Sequence, residues 1–241
     1  MRVEVWSDVV CPWCYIGKRR LEDALARFEH RDEVEVVWRS FELDPSAPRT
    51  REGHYVTRLA TKYRIPVGEA EAMIDRMTRT GDDAGVDMRF DLARPGNTFD
   101  AHRLLHLAAD HGIQGRLKER LMAATFSEGQ PIGERDTLVR LAAEVGLDEE
   151  DARGVLASDA YAADVRADER QAHAFGIDAV PFFVLDRRIG VPGAQPADVL
   201  LAALEQAWEG AEHDQAAGHA KAGDPVPAAS GPGCEDGACA T

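Results

Sequence analysis

Ser7-Asp8-Val9-Val10-Cys11-Pro12-Trp13-Cys14 is the stretch on which the reading of this chain turns. It follows a strand-like segment, Arg2-Val3-Glu4-Val5-Trp6, and opens a segment with helical periodicity. A thiol at a helix start meets unpaired backbone N–H groups and the positive end of the helix dipole. Both favour thiolate, the form that attacks disulfides, and Cys-x-x-Cys pairs at helix starts are recurrent reactive sites. Cys11 is placed to be that nucleophile. Pro12 suits the first helical position, where no N–H is missed. Cys14, nearly one turn on, faces the same way and can close a disulfide with Cys11.

Outward from this stretch, Ile16, Leu21, Ala24, Leu25 and Phe28 recur at helical spacing and predict a helix over 12–29. Glu33 to Leu43 reads as the next strand and stops at Asp44-Pro45, a turn signal. Strand, helix, strand within about 45 residues is a βαβ unit with parallel strands and a right-handed crossover. Residues 50–175 then lack β-branched runs and show helical patterns near 51–64, 67–80, 98–112, 114–128, 134–145, 148–157 and 159–175. Asn97 or Thr98 reads as the N-cap of the strongest of these. Strand character returns over 177–185, followed by a turn at Asp186-Arg187-Arg188, a short strand at Ile189–Val191 and an amphipathic helix over 197–208. The predicted class is α/β, in the order βαβ, helical insertion, ββα. The divisions are 1–49 and 176–210 for the α/β part, 50–175 for the insertion and 211–241 for a low-complexity tail. The tail is expected to lack stable order.

The totals narrow the function classes. The chain has 241 residues, 44% of them hydrophobic, with 28 basic and 43 acidic side chains and a net charge of −15. That is enough apolar material for a sizeable core. An acidic surface repels phosphate backbones and anionic membranes, so neither nucleic acid nor membrane is an expected partner. No apolar run approaches the ~20 residues of a membrane-spanning helix. Met1 leads straight into strand-like sequence without an apolar leader, so a cytoplasmic location is expected. Four cysteines in such a chain point to redox or metal chemistry more than to a structural disulfide framework.

Val180-Pro181 is the second signal. Proline at the start of an apolar strand removes a ladder N–H, which fits a cis peptide at which the strand begins. Four motifs in order then resemble one family. They are residues 7–14, Phe41-Glu42-Leu43-Asp44-Pro45, Pro95-Gly96-Asn97-Thr98-Phe99-Asp100-Ala101-His102-Arg103-Leu104, and Gly176-Ile177-Asp178-Ala179-Val180-Pro181-Phe182-Phe183-Val184. Over residues 1 to about 210 the chain resembles the DsbA family of thioredoxin-fold oxidoreductases. Within it the chain looks FrnE-like, a branch allied to the 2-hydroxychromene-2-carboxylate isomerases and kappa-class glutathione transferases.

The resemblance implies a thioredoxin fold split by a helical insertion, and dithiol–disulfide exchange. Cys11 matches the exposed nucleophile, Cys14 the resolving thiol and Val180-Pro181 the cis-proline loop. Pro12, Trp13, Val180, Asn97 and His102 match residues of a substrate groove. Trp13 stands where strongly oxidising members carry His, so their potential does not carry over. The isomerase and transferase relatives carry Ser at the place of Cys11. Retention of both cysteines therefore favours redox chemistry over the rival reading, a glutathione-dependent isomerase or transferase acting on an aromatic or polyketide-like molecule. A second rival is a non-catalytic holdase or redox sensor. Expected partners are proteins carrying thiols or disulfides, with glutathione available as a redox partner and no resident cofactor.

FrnE-like proteins can carry a C-terminal cysteine pair, which Cys234 and Cys239 match. About 24 flexible residues after Gly210 reach roughly 27 Å r.m.s., against a folded radius of gyration of ~18 Å. A shuttle of electrons between the two pairs is therefore within reach. A four-thiolate zinc site joining both pairs would withdraw Cys11 from exchange, and His102 with His106 makes only half a metal site, so no metal is expected. Asp8 and Glu42 lie near strand ends beside the site, where capping or solvation is their expected role.

Overall fold

The computed structural model describes residues 1–51 and 53–216. Its sheet has four strands in the order β2-β1-β3-β4. β1 (Arg2–Ser7) is central, with β2 (Glu35–Ser40) parallel on one side and β3 (Phe182–Leu185) antiparallel on the other. β4 (Ile189–Pro192) pairs antiparallel with β3 through the tight turn at Asp186 and Arg187, both at positive φ. The alternation of β1 sends Val3 and Val5 to one face and Glu4 and Trp6 to the other, and all four are buried. A sheet covered on both faces requires helices on both sides, and the chain supplies them.

On the Val3/Val5 face lie α1 (Pro12–Arg27) and α9 (Ala197–Ala216). Leu21, Ala24 and Phe28 pack there with Phe183, Val191, Leu200 and Leu204. Between β2 and β3 run α2 (Tyr55–Tyr63), α3 (Val67–Asp83), α4 (Phe99–Asp110), α5 (Gln114–Phe126), α6 (Arg135–Glu144), α7 (Glu149–Ala157) and α8 (Ala162–Ala174). α4 to α7 close a core of their own around Leu104, Leu117, Leu121, Leu138 and Leu141. Asp148 caps α7, accepting from the Glu150 and Asp151 N–H groups.

Two side chains fasten this helical block to β2. Gln114 accepts from the Trp38 N–H at 2.9 Å and donates to the Trp38 carbonyl at 2.9 Å. Asp168 accepts from the Ser40 N–H at 2.9 Å and from Arg39 at 3.1 Å, while its carbonyl accepts from Trp6 Nε1.

Among the boundaries that differ from the sequence expectation, α2 starts at Tyr55, not 51, α3 runs to Asp83, not 80, and three others bear on the sheet and the tail. β2 covers 35–40, not 33–43, because it pairs only with the six residues of β1, Arg2↔Glu35 to Ser7↔Ser40. β3 begins at Phe182, not Ile177, because Pro181 has no N–H and the ladder with β1 ends at Trp6↔Phe182. α9 continues past Trp208 and Gly210 to Ala216, so the tail is helical at its start. Arg188 donates to the Gly210 carbonyl at 3.2 Å and holds that turn.

Candidate active site

Cys11 is the N-cap of α1, with Pro12 at the first helical position, as the local sequence dictates. Its carbonyl accepts from the Cys14 and Tyr15 N–H groups at 3.1 and 3.3 Å. Both cysteines are free thiols, Cys11 5% exposed and Cys14 1%. The Val180–Pro181 bond is cis, and the Cys11 thiol faces the Val180 carbonyl at 3.7 Å. Gly17 makes this approach possible. A Cβ there would lie 2.9 Å from Pro181 Cγ and 3.3 Å from Phe183. So the residue types at 11, 14, 17 and 181 together set one geometry: a dithiol against a proline loop.

Beneath the dithiol lies a buried ionic cluster. Lys118, on α5, has no exposed surface and donates from Nζ to the Ser7 carbonyl at 3.1 Å. Burial pulls its ammonium down to about 8, against the opposing fields of Cys14, Asp8 and Cys11. Asp8 is buried too, and Oδ2 accepts from the Leu43 N–H at 2.8 Å. Burial raises the Asp8 carboxyl, but His102, the Leu43 N–H and Lys118 outweigh it and hold the group below its ordinary 3.8. Burial pushes the Cys14 thiol well up, and the neighbouring Cys11 pushes the same way. Glu42 is also raised by burial, although it accepts from Arg166 at 2.5 Å. Glu42 Oε1 and His102 Nδ1 have no hydrogen-bond partner among the described residues.

Cys11 opens into a groove of about 420 Å³. Pro12, Trp13, Leu43, Val180 and Met77 form apolar parts of its wall, and α2 contributes Tyr55, Leu59 and Tyr63. Arg51, Arg58 and Lys62 also line it. Of the expected groove residues, the structure brings Pro12, Trp13 and Val180 to this wall. It does not bring Asn97 or His102. Asn97 stands just before Thr98, the N-cap of α4, accepting from the Phe99 N–H at 3.0 Å and donating to the Pro45 carbonyl, while its neighbours Gly96 and Thr98 line the groove. His102 is fully buried behind the site against Asp8.

His106, four residues on, turns instead to Asp168 at 3.2 Å and Ser40 at 3.1 Å. The two histidines thus serve different carboxylates, and no cluster of three metal-ligating side chains occurs among the described residues. Asp8 and Glu42, expected to be solvated or capping, are instead buried members of the cluster. Cys234 and Cys239 lie outside the described residues.

Lys118 is the residue that sequence reading missed. Its signal was present. Leu117, Lys118, Leu121, Met122 and Thr125 share one helical stripe, and a lysine on an otherwise apolar stripe is a candidate buried charge.

Comparison with known proteins settles the family. The model of the DsbA-like thioredoxin domain matches residues 2–205. The chain belongs to that family. It is 43% identical to a probable DsbA oxidoreductase of Streptomyces coelicolor, SCO1869, whose crystal structure superposes with a TM-score of 0.83 over 100% of this chain and 99% of the other. It is 32% identical to YwbO of Bacillus subtilis (strain 168), over 85% of this chain and 96% of that protein. YwbO is described as uncharacterized. The cytosolic disulfide reductase DsbM of Pseudomonas aeruginosa, solved with glutathione, shares the DsbA-like fold at 18% identity and a TM-score of 0.58, over 90% of this chain and 100% of DsbM. No described helix is long and apolar enough to cross a membrane.

Proposed function

We propose that this member of the DsbA-like family is a cytoplasmic dithiol–disulfide oxidoreductase. One observation carries the reading: two free thiols a helical turn apart, at the start of α1, with the outer one facing the cis-proline loop and a groove. In the reducing direction, the Cys11 thiolate attacks one sulfur of a substrate disulfide and the other sulfur leaves as thiolate. Cys14 then attacks Cys11 Sγ, releasing the second substrate thiolate and leaving a Cys11–Cys14 disulfide. Oxidation of a substrate runs the same steps backward. The direction follows the potential of the couple against its surroundings, at about tenfold per 30 mV for two electrons.

The groove supports a substrate class. Its volume suits a small disulfide or a short extended segment of a protein more than a folded surface. The Val180 N–H takes no acceptor among the described residues, so an extended segment can pair there. Arg51 is paired with Asp44 on the same wall, while Arg58 and Lys62 put cations there on an otherwise acidic protein, which suits carboxylate-bearing disulfides such as that of glutathione. Cys234 and Cys239 are assigned as a second dithiol that exchanges with the first. Turnover of glutathione disulfide and insulin disulfides by the full chain tests the reading. Cys11→Ser is expected to abolish both, and full activity in that variant rules the assignment out.

A further inference from the structure

Attack by Cys11 on a disulfide creates a charge inside the groove. The reaction runs in line, so the departing sulfur lies about 4 Å from Cys11 Sγ, two disulfide bond lengths away. It departs as thiolate, and a basic thiolate leaves slowly unless something stabilises it. The Val180 carbonyl beside Cys11 is an acceptor and cannot do so. Tyr55, the first residue of α2, lines the same groove as Cys11 and carries a neutral donor.

The tyrosines elsewhere have committed hydroxyls: Tyr15 donates to Glu119 at 2.7 Å and Tyr161 to Asp110 at 2.6 Å. The Tyr55 hydroxyl bonds to no other described residue. Its ring, in contrast, is well seated. Phe90 packs against it with centroids 4.9 Å apart, and Phe126 packs against Phe90 at 6.1 Å. Tyr15 follows at 6.3 Å from Phe126, on the helix that starts at Cys11. A file of four rings thus ties the start of α2 to α1, within the hydrophobic cluster that also holds Cys11. A fixed ring with a free hydroxyl, on the wall of a groove that ends at a thiol, is a donor placed for whatever enters.

We infer that the Tyr55 hydroxyl is a catalytic hydrogen-bond donor to the substrate sulfur that departs when Cys11 attacks. This rests on the oxidoreductase reading and deepens it. Cys11 Sγ, as thiolate, bonds to the near sulfur of the disulfide. The sulfur–sulfur bond breaks and its electron pair stays on the far sulfur, which is thereby reduced while Cys11 is oxidised to the mixed disulfide. Tyr55 keeps its proton and holds the new thiolate by a hydrogen bond, a donor in position before the charge develops. Burial, and next the charge of Cys11, hold that proton on above the ordinary phenol range, so the group stays a donor wherever the thiolate attacks. In reverse, the same contact places a substrate thiolate for its attack on the mixed disulfide. A hydrogen bond to a charged acceptor is among the strong ones, and it strengthens with the basicity of the acceptor. Tyr55 therefore favours alkyl disulfides, such as those of cysteine, whose thiolates are basic, and does little for aryl disulfides.

The test uses the full chain with Cys14→Ser, Cys234→Ser and Cys239→Ser, which leaves Cys11 as its single thiol and stops the reaction at the mixed disulfide. Two disulfides are compared: bis(2-hydroxyethyl) disulfide, with a strongly basic leaving thiolate, and 5,5′-dithiobis(2-nitrobenzoate), with a weakly basic one. Acid quench and mass spectrometry follow the mixed disulfide in time. Tyr55→Phe keeps the ring and the net charge, so the variant-to-parent ratio reports the hydroxyl alone. The expected ratio is a loss of about tenfold with the hydroxyethyl compound and within about twofold with the nitrobenzoate. Equal slowing with both compounds marks a structural role and overturns the proposal, as does no slowing with either; both outcomes leave the oxidoreductase reading intact. An unsubstituted chain that reacts with neither compound overturns the oxidoreductase reading, and this proposal with it.

Discussion

His102 Nε2 donates to Asp8 Oδ1 at 3.3 Å, and both side chains are fully buried. A buried carboxylate with its partners contributes little net stability when intact, yet removing it leaves the His102 Nε2 and Leu43 N–H donors without their acceptor and the buried Lys118 ammonium without a compensating charge. Asp8→Ala is therefore expected to cost about 3–5 kcal/mol at pH 7 in urea unfolding. The sign of its pH dependence follows from the lowered carboxyl. A carboxyl that is lower in the folded state stabilises fully above its unfolded value, here 3.8, and loses that contribution as pH falls through the folded value. The gap between wild type and Asp8→Ala should hold from pH 7 to 5 and narrow below about pH 4. A gap that widens on acidification contradicts this account.

Lys118 predicts the same direction, stability rising with pH, at the other end of the scale. Its ammonium is lowered from 10.5 to about 8, so between these values the unfolded chain binds more protons than the folded one. Stability from this group therefore rises with pH across that window, by about 3 kcal/mol at ~1.4 kcal/mol per unit. Lys118→Met removes the penalty on a buried charge at pH 7 and is expected to equal or exceed the wild type in stability there. The advantage should vanish by about pH 10. Urea melts of both proteins at pH 7, 8.5 and 10 check it, and a strongly destabilised variant at pH 7 argues against a penalised ammonium.

Gly17→Ala tests the seat of the proline loop. The added methyl meets Pro181 Cγ at 2.9 Å, a ring atom fixed at a chain turn, so α1 must shift. Overpacking of this kind costs about 1–3 kcal/mol. The shift moves Cys11 relative to the Val180 carbonyl, so disulfide turnover should fall more than stability alone explains. Activity measured well below the melting temperature separates the two effects.

The cations of the groove wall predict charge selection. A dianionic aromatic disulfide should react faster than cationic cystamine, by about tenfold at low salt, and the preference should shrink as ionic strength rises. Arg58→Gln with Lys62→Gln should reduce it severalfold and flatten the salt dependence. An equal preference in wild type and double variant means the wall does not select by charge.

Much of this was legible in the sequence, for reasons that particular residues show. Pro12 after Cys11 marks a helix start by its missing N–H, and alternation in Val3, Glu4, Val5 and Trp6 marks a strand. The periodicity of Leu104, Leu107 and Ala108 marks α4. These are local signals, and they survived folding. The ends of β2 and β3 were not local: they fall where the partner strand β1 runs out. The ionic cluster was hidden for the same reason. Asp8, Glu42, His102 and Lys118 come from a loop before α1, a segment after β2, and helices α4 and α5, and only the packing of the helical block brings them under one dithiol. His102 was singled out for the right neighbourhood but placed on the wrong side of the wall.

The hold of Gln114 and Asp168 on β2 has a consequence for how the chain behaves before and after folding. A bare outer strand is a template for another molecule's strand, and such pairing is a route to aggregates. Here the free margin of β2 is filled by an amide and a carboxylate from α5 and α8, which stand where a fifth strand would dock. An incompletely folded chain, with its helices not yet seated, exposes that margin. Cutting out the helical block to make a smaller redox module would expose it permanently, so such a trimmed protein should self-associate unless Trp38 and Ser40 are given new partners.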